Sequence, residues 1–204
     1  MDAFDVFFSF YGLLLGLAAA EILASVGGLV RDRSLADLRM QSALLAFLTF
    51  LLICATWIDA WQTRATFALD FASLWAPIGA ATAYYLAAVV VLPKRMDAWD
   101  DVDAYFAERK RFVVASLIVA ELFVKVTYLP IFVGHLQERP MLFWLYSMPL
   151  NVAIFGAFAA MLVARTRRAN IAAIAAQIVI FTIPYWSDRL IANAIRAAYG
   201  YPLT

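Results

Sequence analysis

The chain has almost no thiol or imidazole chemistry to offer. One cysteine, Cys54, and one histidine, His135, occur in 204 residues. A single thiol excludes an internal disulfide and a thiolate metal cluster. A single imidazole excludes bis-histidine haem ligation and the HExxH pattern of metalloproteases. Charge is scarce as well: Asp, Glu, Lys and Arg make up 15% of the chain, against about 25% in a soluble domain. The net charge of +1 creates no field that would recruit nucleic acid. No cofactor, metal or nucleic-acid partner is expected.

What is abundant is apolar surface. Hydrophobic residues are 65% of the sequence, and the mean hydropathy is +0.81. Such a chain cannot present a wet surface all round, so its expected partner is the lipid bilayer. A spanning helix needs about 20 mostly apolar residues. Stretches 4–30, 42–61, 66–92, 112–133, 141–164 and 170–194 meet that requirement. The expected fold is all-α: a polytopic integral membrane protein with six transmembrane helices in one domain covering 1–204.

Orientation follows from where the cations lie. The connections after spans one, three and five hold Arg31, Arg33, Arg39, Lys94, Arg95, Arg109, Lys110, Arg111, Arg165, Arg167 and Arg168. The opposite side holds only Arg64, Arg139, Arg189 and Arg196. Both termini are therefore expected outside, with the long connection between spans three and four in the cytoplasm. The acidic start, Met1-Asp2-Ala3-Phe4-Asp5, argues against a cleaved signal peptide. The alanine and arginine usage suggests a bacterial inner-membrane protein. Ser34-x-x-Asp37 has the spacing of a capping box for span two. In 96–111, Trp99, Val102 and Phe106 fall on one helical face, with acids early and Arg109, Lys110 and Arg111 late. That pattern predicts an interfacial helix between spans three and four.

Few ionisable groups sit inside the apolar stretches, and those few are informative. Charges in a bilayer core are costly and by default mark function or a polar packing network. Glu121 and Lys125 are four residues apart in span four, in the order that favours an ion pair. Glu21 lies in span one at a similar expected depth. Asn151, Gln177, Thr49, Tyr84 and Tyr85 are polar groups near the same level. Two carboxylates and one ammonium leave that layer one negative charge from neutral. A proton or a cation would balance it. Glu21, Glu121, Lys125 and Asn151 are the candidate ion or proton site. A static network, with Glu121 paired to Lys125 and a protonated Glu21, balances the same count.

Asp59, Asp70, Asp188 and Arg189 form a second polar layer near the outer ends of their helices, with Arg64 and His135 close by in sequence. It reads either as interfacial anchoring or as an outer vestibule. Pro77, Pro149 and Pro184 interrupt spans three, five and six. Trp57, Trp61, Trp75, Trp144 and Trp186 suit an outer aromatic belt.

Span one carries Gly12, Gly16, Ala20, Ala24 and Gly28 at four-residue spacing. Small residues let membrane helices approach closely. The stripe is expected to be packed, within the chain or in a homo-oligomer, with Glu21 beside it. Ala20-Glu21-Ile22 and Ala120-Glu121-Leu122 stand 100 positions apart, as do Thr82-x-x-Tyr85 and Thr182-x-x-Tyr185. This would fit an inverted repeat of 1–95 and 96–204, a common transporter plan.

Two functions follow. The first is a small transporter or channel handling protons or a cation through the carboxylate and lysine layer. The second is a non-catalytic accessory or scaffold subunit of a membrane complex. An intramembrane enzyme would need paired acids, a Ser/His pair or metal ligands at one depth. Asp59 and Asp70 could pair, but no motif around them supports a named chemistry.

Overall fold

The computed structural model describes residues 3–32, 38–62, 64, 71–93, 102–138 and 140–199; the side chains of 62, 71–73, 102, 131, 135, 142 and 184–199 are outside that description. Every regular element among the described residues is helical. In chain order they are α1 (Ala3–Arg31), α2 (Met40–Gln62), α3 (Phe71–Val91), α4 (Val102–Thr127), α5 (Leu129–Glu138), α6 (Pro140–Leu142), a π-helical turn (Phe143–Ser147), α7 (Met148–Val163) and α8 (Arg167–Tyr199). Four segments are long and apolar enough to cross a membrane: Ala3–Arg31, Met40–Trp61, Leu74–Val91 and Phe143–Val163. A fifth crossing is available if Asp103–Thr127 and Phe132–Glu138, bent by 64°, count as one. The chain therefore has the architecture of a multi-pass membrane protein.

Two expectations about the elements change. Val102–Arg111 does not form a separate helix, because no breaker stands between Arg109 and Phe112. It runs straight into the span as the first turns of α4; 96–101 lie outside the described residues. The expected span 112–133 is cut at Thr127. Pro130 explains the cut, since it lacks an N–H and its ring clashes with the carbonyl four residues back. Pro149 lies inside the Phe143–Val163 span, at the first turn of α7, directly after the π-helical turn. Pro77 is tolerated inside α3.

The bundle has a basic end and a tryptophan-rich end. At the basic end α1 stops at Arg31, α4 carries Arg109 and Lys110 a few turns from its start at Val102, and α8 starts at Arg167. At the other end Phe8 of α1 packs on Trp57 and Trp61 of α2, with ring centroids 5.1 and 5.2 Å apart. Arg64 lies over Trp61 at 4.9 Å.

α1 buries Phe4, Phe7, Tyr11, Leu15, Ala18, Ile22, Ser25 and Leu29. Their alternating three- and four-residue steps keep one face inward. The Gly/Ala stripe does not follow that face. A strict four-residue repeat drifts about 40° per step around a helix. Gly12 is half-buried, and a Cβ there would meet the Trp57 indole nitrogen at 3.0 Å. Gly16, Ala20 and Ala24 are exposed, and a Cβ on Gly16 would meet nothing within 4 Å. The expectation that the stripe packs within the chain is therefore corrected for its central part.

α3 packs against α4 and α1 through a face of small residues: Ala76, Ala80, Ala83, Ala87 and Ala88. The absence of bulk there lets α4 approach closely and recover dispersion contacts that lipid would otherwise supply. The approach is close at Gly79, where a Cβ would fall 2.8 Å from the Phe123 ring. Many polar side chains in these helices bond their own backbone. Thr49, Thr82 and Thr182 donate to the carbonyls of Leu45, Ile78 and Ile178, each at 2.8 Å. Such back-bonding keeps a hydroxyl satisfied in an apolar setting.

Candidate functional site

Glu121 lies on α4 about eleven residues, or ~16 Å, from Lys110 at the basic end. That is near the middle of a hydrocarbon core about 30 Å thick. Its side chain is only 2% exposed. The Ala-rich face of α3 brings Tyr84 against it. The Tyr84 hydroxyl donates to Glu121 Oε1 at 3.1 Å. Thr56 of α2 stands 3.0 Å from the same Tyr84 oxygen. With the Tyr84 proton directed at the carboxylate, Thr56 is the donor of that second bond. The three groups form a continuous chain, Thr56 to Tyr84 to Glu121, contributed by three helices and buried throughout.

Tyr11 of α1 faces the same neighbourhood. It is 4% exposed and stacks on Phe7 with ring centroids 5.4 Å apart. Glu121 and Asp59 both act on it electrostatically. Asp59 and Lys125 in turn act on Glu121. Asp59 stands one turn beyond Thr56 on α2, towards the tryptophan-rich end, and is half-buried. Thr56, Glu121 and Tyr11 act on Tyr84, while Asp59 and Lys125 act on Glu121 through space. Two carboxylates and one ammonium are again present, as in the sequence count, but Asp59 takes the place of Glu21.

The other expected residues fall elsewhere. Glu21 is half-buried and sits ten residues, or ~15 Å, along α1 from Tyr11, towards the basic end. Its backbone carbonyl accepts from Ser25 at 3.0 Å. Lys125 is half-buried and influences Glu121 through space. The ion pairs of the described side chains include Arg39–Asp103 at 3.9 Å and Arg109–Glu108 at 3.0 Å, but not Glu121–Lys125. Asn151 donates to the Ser147 carbonyl at 2.7 Å, where α7 begins. Asp70, the capping-box residues 34–37 and the side chains of His135, Asp188 and Arg189 lie outside the described residues.

A second buried cluster, unread from sequence, closes the basic end. Lys110, 7% exposed, donates to the Ala164 carbonyl at 2.5 Å and to Asn170 Oδ1 at 3.0 Å. Asn170 reaches Gln41 Oε1 at 3.5 Å, and Gln41 donates to Asp103 Oδ1 at 2.8 Å. The cluster caps the end of α7 with a cation, where unpaired carbonyls and the helix dipole favour one. Tyr105 adds a hydrogen bond to the Val90 carbonyl at 2.5 Å, closing the end of α3. In sequence Asp103 and Lys110 read as part of an interfacial helix, and Gln41, Tyr105 and Asn170 carry no mark. Only the extension of α4 back to Val102 turns them inward.

Chemically, the Thr56–Tyr84–Glu121 chain can run in two directions. An ionised Glu121 accepts from Tyr84, which accepts from Thr56. A protonated Glu121 can donate to Tyr84, which can then donate onward. No protein-family model matches the chain, and no curated protein or solved structure matches it either.

Proposed function

We propose that this protein is a small membrane transporter or channel that moves protons, or a cation coupled to them, past Glu121. The observation that supports this reading is a fully buried carboxylate whose hydrogen bond comes from a reversible hydroxyl chain instead of a direct cation. A purely structural acid at that depth would be cheaper as glutamine, and Tyr84 would be cheaper as phenylalanine. A titrating acid needs both. In this reading Glu121 takes up and releases the proton, Tyr84 and Thr56 relay it, and Lys125 and Asp59 set the local field. Asn151 and Glu21 have no part in the relay.

The proposal includes six spans, with α8 as the sixth, both termini outside, and the Lys110 end in the cytoplasm of a bacterial inner membrane. The lysine and arginine bias supports that orientation. The test is proton uptake into liposomes holding the purified protein and a trapped pH dye. Wild type should carry protons under an imposed potential, and Glu121→Gln should fall to the level of empty liposomes while eluting as a folded protein. Equal flux in the two overturns the reading.

The accessory-subunit reading is favoured by one observation, the exposed Gly16–Ala20–Ala24 surface on α1. It requires a partner helix, from a second copy or a different chain, to lie against that surface. Under that reading the protein co-purifies with the partner and Gly16→Leu loses it.

A further inference from the structure

Between the basic end and Glu121 the core is not uniformly apolar. Ser42, Thr49 and Thr56 stand seven residues apart on α2, and their exposures are 0%, 0% and 4%. Seven residues are close to two turns, so the three hydroxyls share a face and climb it in steps of ~10 Å. The first adjoins Gln41 of the basic-end cluster. The last is the hydroxyl that pairs with Tyr84 at 3.0 Å.

α8 supplies a fourth group. Gln177 lies seven residues beyond Asn170, on the same helical face, and is fully buried. α2 and α8 run in the same direction from the Gln41–Asn170 hydrogen bond. Gln177 therefore reaches the level of Thr49, ~10 Å from the cluster.

Two of these four groups have unmet hydrogen-bonding capacity. Among the described residues neither amide atom of Gln177 has a partner, and neither does Ser42 Oγ. Thr49 donates to Leu45 and keeps its acceptor sites open. A buried amide left in this state is costly, and natural cores rarely hold one without water or another partner. Leucine fills nearly the same volume without that cost. An amide both donates and accepts, as water does, and a small buried polar site is where ordered water belongs.

We propose that a file of water molecules runs from the basic-end cluster past Ser42, Gln177 and Thr49 to the Thr56–Tyr84–Glu121 chain, forming the basic-side half of the proton path. The proton-carrying role of this file rests on the proposed function of Glu121; its wetness does not. A proton arriving as hydronium would pass along these hydrogen bonds to the Glu121 carboxylate, giving the carboxylic acid and leaving a neutral water behind.

Cys54→Ala removes the only thiol in the chain. In that background Thr49→Cys and Gln177→Cys are compared with Val179→Cys. Val179 lies two residues from Gln177 on α8 and is 57% exposed, so it faces lipid at the same depth. A small water-soluble thiosulfonate is applied from the basic face. Thr49→Cys and Gln177→Cys should react about tenfold faster than Val179→Cys, because attack needs a hydrated thiolate. Reaction no faster than Val179→Cys overturns the water file, whatever the flux.

The second arm measures proton uptake by Gln177→Leu beside wild type. Flux should fall about tenfold, the value of one lost hydrogen-bonded link, while the thermal midpoint holds or rises. Reactive thiols with undiminished Gln177→Leu flux would overturn the file as the proton path. Reactive thiols with no flux in wild type itself would sink the Glu121 reading and leave the water file standing.

Discussion

The basic-end cluster and the Glu121 chain are both buried polar networks, yet they are built on opposite plans. At the basic end a cation, two amides and an acid answer one another across α2, α4 and α8, and Lys110 makes two bonds at once. The network closes helix ends that would otherwise leave carbonyls unpaired. The Glu121 chain is linear. Its two ends, Thr56 and Glu121, are each joined to it by one bond through Tyr84, two members are hydroxyls that can reverse, and Lys125 acts on Glu121 through space without a direct ion pair. A network with many mutual bonds fixes geometry; a linear one ending in an acid leaves room for a proton to move. The contrast separates a structural clasp from a candidate working site within one small bundle.

That comparison can be broken by substitution, and the effects differ in kind as well as size. Glu121→Gln should remove proton flux altogether, because the amide keeps the shape and the acceptor but cannot take up a proton. Liposome uptake checks this, and an elution profile confirms folding. Lys110→Met should lower stability by about 2–3 kcal/mol, since it strips a charged donor from Ala164 and Asn170 in a buried setting. Unfolding in detergent micelles measures it, and a change below 0.5 kcal/mol would show that the clasp is not structural.

Gly79→Leu tests the close α3–α4 approach that brings Tyr84 to Glu121. Overpacking against Phe123 should cost about 2 kcal/mol, and the same unfolding assay reads it. Tyr84→Phe should reduce flux about tenfold, the kinetic equivalent of one lost hydrogen bond, without removing the acid. Ser25→Ala should be the mildest, within about 0.5 kcal/mol, because that hydroxyl only bonds its own helix. If Tyr84→Phe and Ser25→Ala behaved alike in flux, the relay role of Tyr84 would be lost.

Glu121 was readable from the chain because an acid inside an apolar run announces itself by its cost. Its neighbours were only half readable. Tyr84 was marked as a polar group near the right depth, but its bond to Glu121 depends on α3 presenting alanines that let α4 close in. Glu21 was expected beside Glu121 from depth alone. The inward face of α1 turns out to bring Tyr11 there instead, ~15 Å along the helix. The small-residue stripe packs within the chain only in part for a related reason, since a four-residue repeat winds off the buried face. The two halves that matched at 100-residue spacing set their acids differently: Glu21 is half-buried and Glu121 is fully so.

The sequence by itself determined the solvent, the helical content and the identity of the central acid. Those follow from transfer free energies and periodicity, which are properties of residues taken singly or one turn apart. Which groups surround that acid was decided only by the tertiary structure. The partners come from four helices, and their meeting depends on helix rotation and on the Gly79–Phe123 approach. Both are set by packing between segments, which local sequence does not encode.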